Sequence, residues 1–106
     1  MIPQSLKTDI IHLFMVQPEI ERVILFGSRA RGDADERSDI DLAIVAPKLA
    51  LRSWLDIYFA LKEEIDTLLQ MDVIWWQQAT EPLKERIRQE GIVLYERENH
   101  SQCTKP

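Results

Sequence analysis

The chain has 106 residues, a formal net charge of −5 and 45% apolar residues. This length and composition are typical of one globular domain, because disordered chains carry fewer apolar residues. The negative charge gives no general attraction to nucleic acid or to an anionic membrane surface. A single cysteine, Cys103, excludes an internal disulfide and a zinc cluster, and no apolar run approaches the ~20 residues of a membrane span. We therefore expect a cytoplasmic protein with no membrane contact and no direct nucleic-acid binding.

The first half of the chain predicts two helices and two strands. Residues 5–16 place apolar side chains at helical spacing and predict an amphipathic helix. Residues 21–26 are rich in β-branched side chains and predict a strand that stops at Gly27. A short helical turn is expected over residues 28–32, and residues 40–46 predict a second strand.

The second half repeats this alternation. Residues 51–69 form a long amphipathic stretch and give the strongest helix prediction in the chain. A third strand is expected over residues 71–76, a helix over residues 81–90, and a fourth strand over residues 92–96.

The resulting order, α-β-α-β-α-β-α-β, predicts an α/β (α+β) fold. We expect a small mixed sheet of about four strands, with helices mainly on one of its faces. No linker or repeat divides the sequence, so residues 1–96 are expected to form a single domain and residues 97–106 a frayed tail.

A Gly-Ser pair follows the first predicted strand. A strand that runs into a glycine at the start of a helix leaves backbone N–H groups unpaired, and such groups suit phosphate oxygens. Ser28 adds a hydroxyl group, and Arg29 and Arg31 add positive charge to an otherwise acidic chain. Gly27, Ser28, Arg29 and Arg31 are therefore candidate phosphate-binding residues. Taken alone, the pair also fits a simple strand break followed by a helix cap.

Two aspartates, Asp39 and Asp41, lie at the start of the second predicted strand and share one of its faces. Two carboxylates ~4 Å apart repel each other by roughly 4 kcal/mol at an effective dielectric constant of 20. A hard divalent cation offsets this repulsion, and Mg²⁺ typically binds one or two carboxylates together with substrate phosphates and water. In isolation the aspartate pair also fits a solvated strand end. Because the Gly-Ser turn follows the preceding strand, however, the turn and the aspartate pair are expected to bind the same nucleotide.

The segment "GSRARGDADERSDIDLAIV" resembles the signature of the polymerase-β-type nucleotidyltransferase superfamily, in which Gly-Ser is followed after ten residues by Asp-any-Asp. The size of the chain resembles the smallest branch of that superfamily, the minimal nucleotidyltransferase (MNT) proteins. This resemblance implies a polymerase-β-like fold, ATP as substrate and two Mg²⁺ ions as cofactors. It also implies that Gly27 and Ser28 bind the triphosphate and that Asp39 and Asp41 bind the metal.

The superfamily also uses a third carboxylate on a neighbouring strand. The strand-borne candidate in this sequence is Asp72, in "MDVIWW". By resemblance, Asp72 would bind the catalytic metal and help to deprotonate the attacking hydroxyl group. Three acids of the preceding predicted helix, Glu63, Glu64 and Asp66, fit a solvated face better.

The resemblance extends to a partner, because MNT proteins form one half of a two-gene module whose other half is a helical HEPN protein. It implies that the chain transfers AMP from ATP to a hydroxyl group, on a tyrosine, of a HEPN-family toxin and so acts as its antitoxin in a hetero-oligomer. Two alternatives stay open: a non-catalytic antitoxin that acts by binding alone, and a nucleotidyltransferase for a small molecule or an RNA end. The apolar surplus on residues 51–69 fits a partner surface or a thick core contact equally well.

Overall fold

A four-stranded mixed sheet lies at the centre of the protein. The computed structural model describes residues 2, 4–32, 39–65 and 70–97. The strands run in the order β3-β2-β1-β4, with β2 and β3 parallel and β1 antiparallel to both β2 and β4. Their bounds are β1 Arg22–Phe26, β2 Ile40–Val45, β3 Met71–Trp75 and β4 Ile92–Glu96. The predicted mixed sheet of about four strands is confirmed.

Within the described residues, four α-helices connect and cover the strands: α1 Gln4–Met15, α2 Ser28–Arg31, α3 Leu51–Glu64 and α4 Glu81–Glu90. The Thr80 hydroxyl accepts a hydrogen bond from the Leu83 N–H at 3.4 Å and caps the start of α4. The helix predicted over residues 51–69 is shorter in the structure: α3 ends at Glu64, and the next residue, Ile65, is extended. Residues 66–69 lie outside the described residues. None of the helices in the described ranges has the length and apolar character needed to cross a lipid bilayer.

The two faces of the sheet are covered by different helices. Side chains alternate along β2, so Leu42 and Ile44 pack with α1 and α3 in the larger core. Ala43 and Val45 point to the other face and pack with Ile87 of α4 in a smaller cluster. The prediction of helices mainly on one face is confirmed for α1 and α3, whereas α4 covers part of the opposite face. By the same alternation Asp41 lies on the α4 face.

Arg97 ties the end of β4 to the end of α1. Its N–H donates to the carbonyl oxygen of Glu21 at 2.8 Å. Its guanidinium donates to the carbonyl oxygens of Met15, Gln17 and Ile20 at 2.8, 3.0 and 3.2 Å. Arg97 is thus held in place, and the rest of the predicted tail, residues 98–106, lies outside the described residues.

Candidate active site

Acidic side chains meet at one end of the sheet. Because β2 and β3 are parallel, their first residues lie at the same end, and antiparallel β1 delivers Gly27 there as well. Asp41 is the register partner of Asp72 on β3 and of Phe26 on β1. The two predicted carboxylates therefore come from adjacent strands and point to the same face.

The electrostatics of Asp41 reflect this crowding. Burial raises the pKa of its carboxyl above the ordinary value, and the negative charges of Asp72 and then Asp39 raise it further. The positive charge of Arg86 on α4 lowers the pKa and offsets part of the effect. Asp39 and Asp72 are exposed and Asp41 is half-buried. The cluster is therefore an anionic group that favours a positively charged ligand.

Gly27 lies directly against the Asp41 carboxylate. Its φ angle is +80°, in the region that L side chains rarely adopt. A Cβ atom placed on Gly27 would overlap Asp41 Oδ2 and would lie 3.2 Å from Asp41 Cγ. The absence of a side chain at this position lets the carboxylate and the Gly-Ser turn share one site.

The remaining predicted phosphate-binding residues lie on α2. The N–H groups of Ala30 and Arg31 both donate to the carbonyl oxygen of Gly27 at 3.0 Å and form the turn that starts at Ser28. Ser28 is half-buried, whereas Arg29 is 5% exposed and is the one buried charged residue in the described part of the chain. Arg31 is exposed.

Sequence reasoning missed Glu90, at the end of α4. Its Oε2 accepts a hydrogen bond from the Gly27 N–H at 2.6 Å, and its Oε1 accepts one from Arg31 Nη1 at 3.1 Å. Arg86 Nε lies 3.3 Å from Oε2, and the Glu90 side chain is 13% exposed. Burial alone would raise the pKa of Glu90, but the hydrogen bonds from Gly27 and Arg31 and the charges of both arginines outweigh it and lower the pKa.

The sequence indicates only a local role for Glu90. The i,i+4 spacing of Arg86 and Glu90 on a predicted helix indicates a local ion pair on a helix surface. It does not indicate a bond to Gly27, which lies 63 positions earlier in the chain. The position of Glu90 beside the turn follows from the way α4 packs under β1.

The carboxylates at this end of the sheet meet part of the requirements of a metal site. In the ranges that the structure describes, no group of three or more His, Cys, Asp or Glu side chains is arranged to hold a metal ion by itself. Asp41 and Asp72 nevertheless form a pair of hard oxygen donors whose mutual repulsion a cation would relieve. This donor set fits Mg²⁺, which commonly takes one or two carboxylates and fills its other positions with phosphate oxygens and water. Asp66 and the side chain of Glu64 lie outside the described residues.

The family model described as "Polymerase beta, Nucleotidyltransferase" matches residues 8–100. The chain belongs to this nucleotidyltransferase family. The match includes the Gly-Ser turn, the three aspartates and Glu90. The resemblance noted on the sequence and the α/β fold expected from it are thereby confirmed at the level of the family.

Two relatives of this chain carry the name of protein adenylyltransferase. MJ0141 of Methanocaldococcus jannaschii is 44% identical over 48 residues, which are 45% of this chain and 46% of that protein. MntA of Haemophilus influenzae is 34% identical over 76 residues, which are 69% of this chain and 64% of that protein. The chain thus matches about half to two thirds of the length of these relatives.

A solved structure extends the comparison to the fold. It contains a tri-AMPylated HEPN toxin of Shewanella oneidensis in complex with an MNT antitoxin. The match has a TM-score of 0.66 and 22% sequence identity, and it covers 94% of this chain and 77% of the matched chain. At this identity the likeness establishes the minimal nucleotidyltransferase fold.

Proposed function

We propose that this protein is an ATP-dependent and Mg²⁺-dependent adenylyltransferase that modifies a hydroxyl group, on a tyrosine, of a HEPN-family protein and thereby neutralises it. The observation that carries the proposal is the pairing of Asp41 with Asp72 across β2 and β3, beside the Gly-Ser turn and Asp39. Two relatives named as protein adenylyltransferases support AMP as the transferred group. The HEPN–MNT complex supports the class of partner. A cytoplasmic location is part of the proposal.

The chemistry is a substitution at the α-phosphorus of ATP. The acceptor oxygen forms a bond to the α-phosphorus, the bond from this phosphorus to the oxygen that bridges to the β-phosphate breaks, and pyrophosphate leaves. We assign the proton of the acceptor hydroxyl to the Asp72 carboxylate, which is exposed and therefore accessible to a partner protein. Bound Mg²⁺ would neutralise the carboxylates and the developing charge on the phosphates.

The metal-binding residues in this proposal are Asp39, Asp41 and Asp72. The raised pKa of Asp41, caused by burial and by the charges of Asp72 and Asp39, indicates negative charge that the protein itself leaves incompletely compensated. A cation held by these carboxylates would remove the repulsion, whereas a binding surface without catalytic function would gain nothing from the repulsion.

The Gly-Ser turn is assigned to the triphosphate. The Gly27 N–H already donates to Glu90, so Ser28 provides the hydroxyl for phosphate and Gly27 provides the space for Asp41. Arg31 would contribute positive charge and would be shared between phosphate and Glu90. Arg29 is assigned to the same positive field around the turn.

The experiment uses purified protein, ATP labelled at the α-phosphate, MgCl₂ and a HEPN-family protein encoded beside this chain. Asp72→Asn should reduce AMP transfer by at least ~100-fold, because a general base typically contributes 10²–10⁴-fold, and should leave ATP affinity nearly unchanged. The matched control is Asp56→Asn, an exposed acid on α3, which should transfer AMP at the wild-type rate. Transfer by Asp72→Asn at near wild-type rate would remove Asp72 from the mechanism.

A double variant separates catalysis from binding. Asp39→Asn with Asp41→Asn should abolish AMP transfer and leave the complex with the HEPN-family protein intact by size-exclusion chromatography. If this variant still protects cells from the partner as well as the wild type does, neutralisation by binding alone is the better account.

A further inference from the structure

The outer edge of β3 carries no paired strand in the described part of the chain. The Ile40 N–H donates to the carbonyl oxygen of Gln70 at 2.8 Å, so in this parallel ladder Gln70, Asp72 and Ile74 direct their backbone groups towards β2. The intervening residues direct theirs away from β2, and the Met71 carbonyl oxygen indeed accepts from Lys62 Nζ on α3. The N–H and C=O of Val73 therefore face outwards.

A groove of about 490 Å³ follows this edge, and we call it the edge groove. One wall is α3, with Leu51, Leu55 and Tyr58, and the other is the start of α4, with Leu83. Val73 and Ile74 form the floor, although their side chains belong to opposite faces of the sheet. The groove thus wraps around the open edge of the strand and is lined mainly by apolar side chains.

The α3 wall is apolar where it meets solvent. Leu51 is 63% exposed and Leu55 is 43% exposed, one helical turn apart on the same side of α3. Two large aliphatic side chains that stay exposed beside an open strand edge are typical of a protein-binding surface.

The edge groove is continuous with the active site. Asp72 directly precedes Val73 in β3. Asp72 and Ile74 point to the same face of the sheet, about 7 Å apart at the spacing of alternate strand residues. A chain laid along the edge of β3 would pass Asp72, whose carboxylate must reach the acceptor hydroxyl in the proposed reaction. Proximity of this kind converts a collision between two proteins into a positioned attack.

We propose that the edge groove binds an extended, apolar segment of the protein acceptor, which pairs with the outer edge of β3 at Val73 and presents its hydroxyl-bearing side chain to Asp72. This inference rests on the proposed function. The backbone groups of Val73 match the hydrogen-bonding pattern of an added strand, a recurring mode of peptide recognition. Apolar side chains of the segment would pack against Leu51 and Leu55, and these contacts in the edge groove would give specificity for the acceptor.

Matched double variants test the surface. Leu51→Gln with Leu55→Gln alters two residues of the edge groove that are 63% and 43% exposed. Val16→Gln with Val93→Gln alters two residues outside the groove that are 68% and 48% exposed. All four side chains are already solvent-exposed, so both variants are expected to fold, and melting temperatures verify this. An uncharged replacement avoids a long-range electrostatic effect on the acidic active site.

Three measurements use the HEPN-family protein as probe: its affinity by calorimetry without ATP, the kinetic constants of AMP transfer, and amide hydrogen exchange at Val73. The groove variant should raise the Kd and the KM for the HEPN-family protein about tenfold or more, a loss typical of interface anchors. The KM for ATP should stay unchanged, and the control variant should behave as the wild type. In the wild-type complex the Val73 amide should exchange more slowly than in the free protein.

The outcomes separate this inference from the proposed function. If AMP transfer is normal and both variants bind the HEPN-family protein equally well, the edge groove is not the binding surface and the adenylyltransferase proposal stands. The same conclusion follows if AMP transfer is normal and the Val73 amide is not protected in the complex. Protection at Val73 and loss of affinity without any AMP transfer support the groove as a binding surface and overturn the proposed reaction. A wild-type protein that does not bind the HEPN-family protein at all overturns both. Slower exchange at Val73 on self-association alone would assign the edge to a second copy of the chain and also overturn the inference.

Discussion

Replacement of Asp41 by asparagine should make the metal-free protein more stable, although it removes a proposed metal ligand. The Asp41 carboxylate is half-buried, contacts Asp72 across the β2–β3 ladder and also feels the charge of Asp39. Asparagine has nearly the same shape and no charge, so Asp41→Asn removes the repulsion and keeps the packing against Gly27.

The size of the effect follows from the spacing of the strands. Neighbouring strands lie about 4.8 Å apart, so register partners can bring their charges to about that separation. Two like charges ~4 Å apart cost ~1 kcal/mol in water and ~4 kcal/mol at an effective dielectric constant of 20. Asp72 is exposed and Arg86 offsets part of the repulsion, so the lower limit applies. A gain of ~1 kcal/mol corresponds to a rise in Tm of about 4–8 °C for a domain of this size.

The gain should depend on pH in a defined direction. The pKa of Asp41 is raised by burial, by Asp72 and by Asp39, so the folded protein binds this proton more tightly than the unfolded chain does. The wild type therefore loses stability as the pH rises from the ordinary value of 3.8 through the raised pKa, and the loss is complete above it. Asp41→Asn should be more stable than the wild type at pH 7, and the difference should shrink as the pH falls towards 3.8.

Thermal unfolding in the presence of EDTA, followed by circular dichroism between pH 7 and pH 4, measures the difference. Asp56→Asn on α3 is the control and should stay within about 0.5 kcal/mol of the wild type. Addition of MgCl₂ should then stabilise the wild type more than Asp41→Asn, because a ligand stabilises the state that binds it. A Tm of Asp41→Asn at or below that of the wild type at pH 7, or a gain that does not change with pH, would refute the electrostatic argument.

Two further predictions concern the turn beside these carboxylates. Gly27→Ala and Gly32→Ala both place a side chain at positive φ, which costs ~1–2 kcal/mol. At position 27 the new Cβ also overlaps Asp41, whereas at position 32 it meets no described atom within 4 Å. Urea unfolding should show the larger loss for Gly27→Ala, and equal losses would contradict the close approach of Asp41. Glu90→Gln should lower the free energy of unfolding at pH 7 by about 1–2 kcal/mol, because charge-assisted hydrogen bonds to Gly27 and Arg31 weaken. Since the pKa of Glu90 is lowered, its contribution to stability is present above the ordinary value of 4.5 and is lost as the pH falls below it. Urea titrations that give the same stability difference between Glu90→Gln and the wild type at pH 7 and in acid would contradict this prediction.

Local patterns were sufficient to predict much of the fold. The alternation in "IDLAIV" predicted a strand with Asp41 on one face and Leu42 on the other, and β2 has this arrangement. Predicted and observed bounds of the helix over residues 81–90 agree, and in the structure Thr80 caps its start and Gly91 follows its end. The apolar stretch of residues 51–69 predicted a helix that starts at Leu51 as expected but ends at Glu64. A packed core does not explain the exposed leucines of this helix.

Relations between distant segments could not be predicted in the same way. The pairing of Asp41 with Asp72 depends on the register of β2 and β3, and a slip of one residue would turn Asp72 to the opposite face. The bond from Gly27 to Glu90 depends on how α4 packs, which the helical period alone does not determine. A resemblance based on the Gly-Ser and Asp-any-Asp signature therefore located most of the candidate site but not Glu90.

The tie between Gly27 and Glu90 also has a consequence for the order of events during synthesis. β1 lies between β2 and β4, and β4 begins two residues after Glu90, so one side of β1 stays unpaired until almost the whole described chain has been made. The Gly-Ser turn likewise lacks its carboxylate partner until α4 emerges. A nascent chain on the ribosome would thus expose the apolar edge of "RVILF" and a loosely held turn at the same time. Chains that terminate before α4 should be targets for chaperones and proteases, and nucleotide binding should appear late in translation.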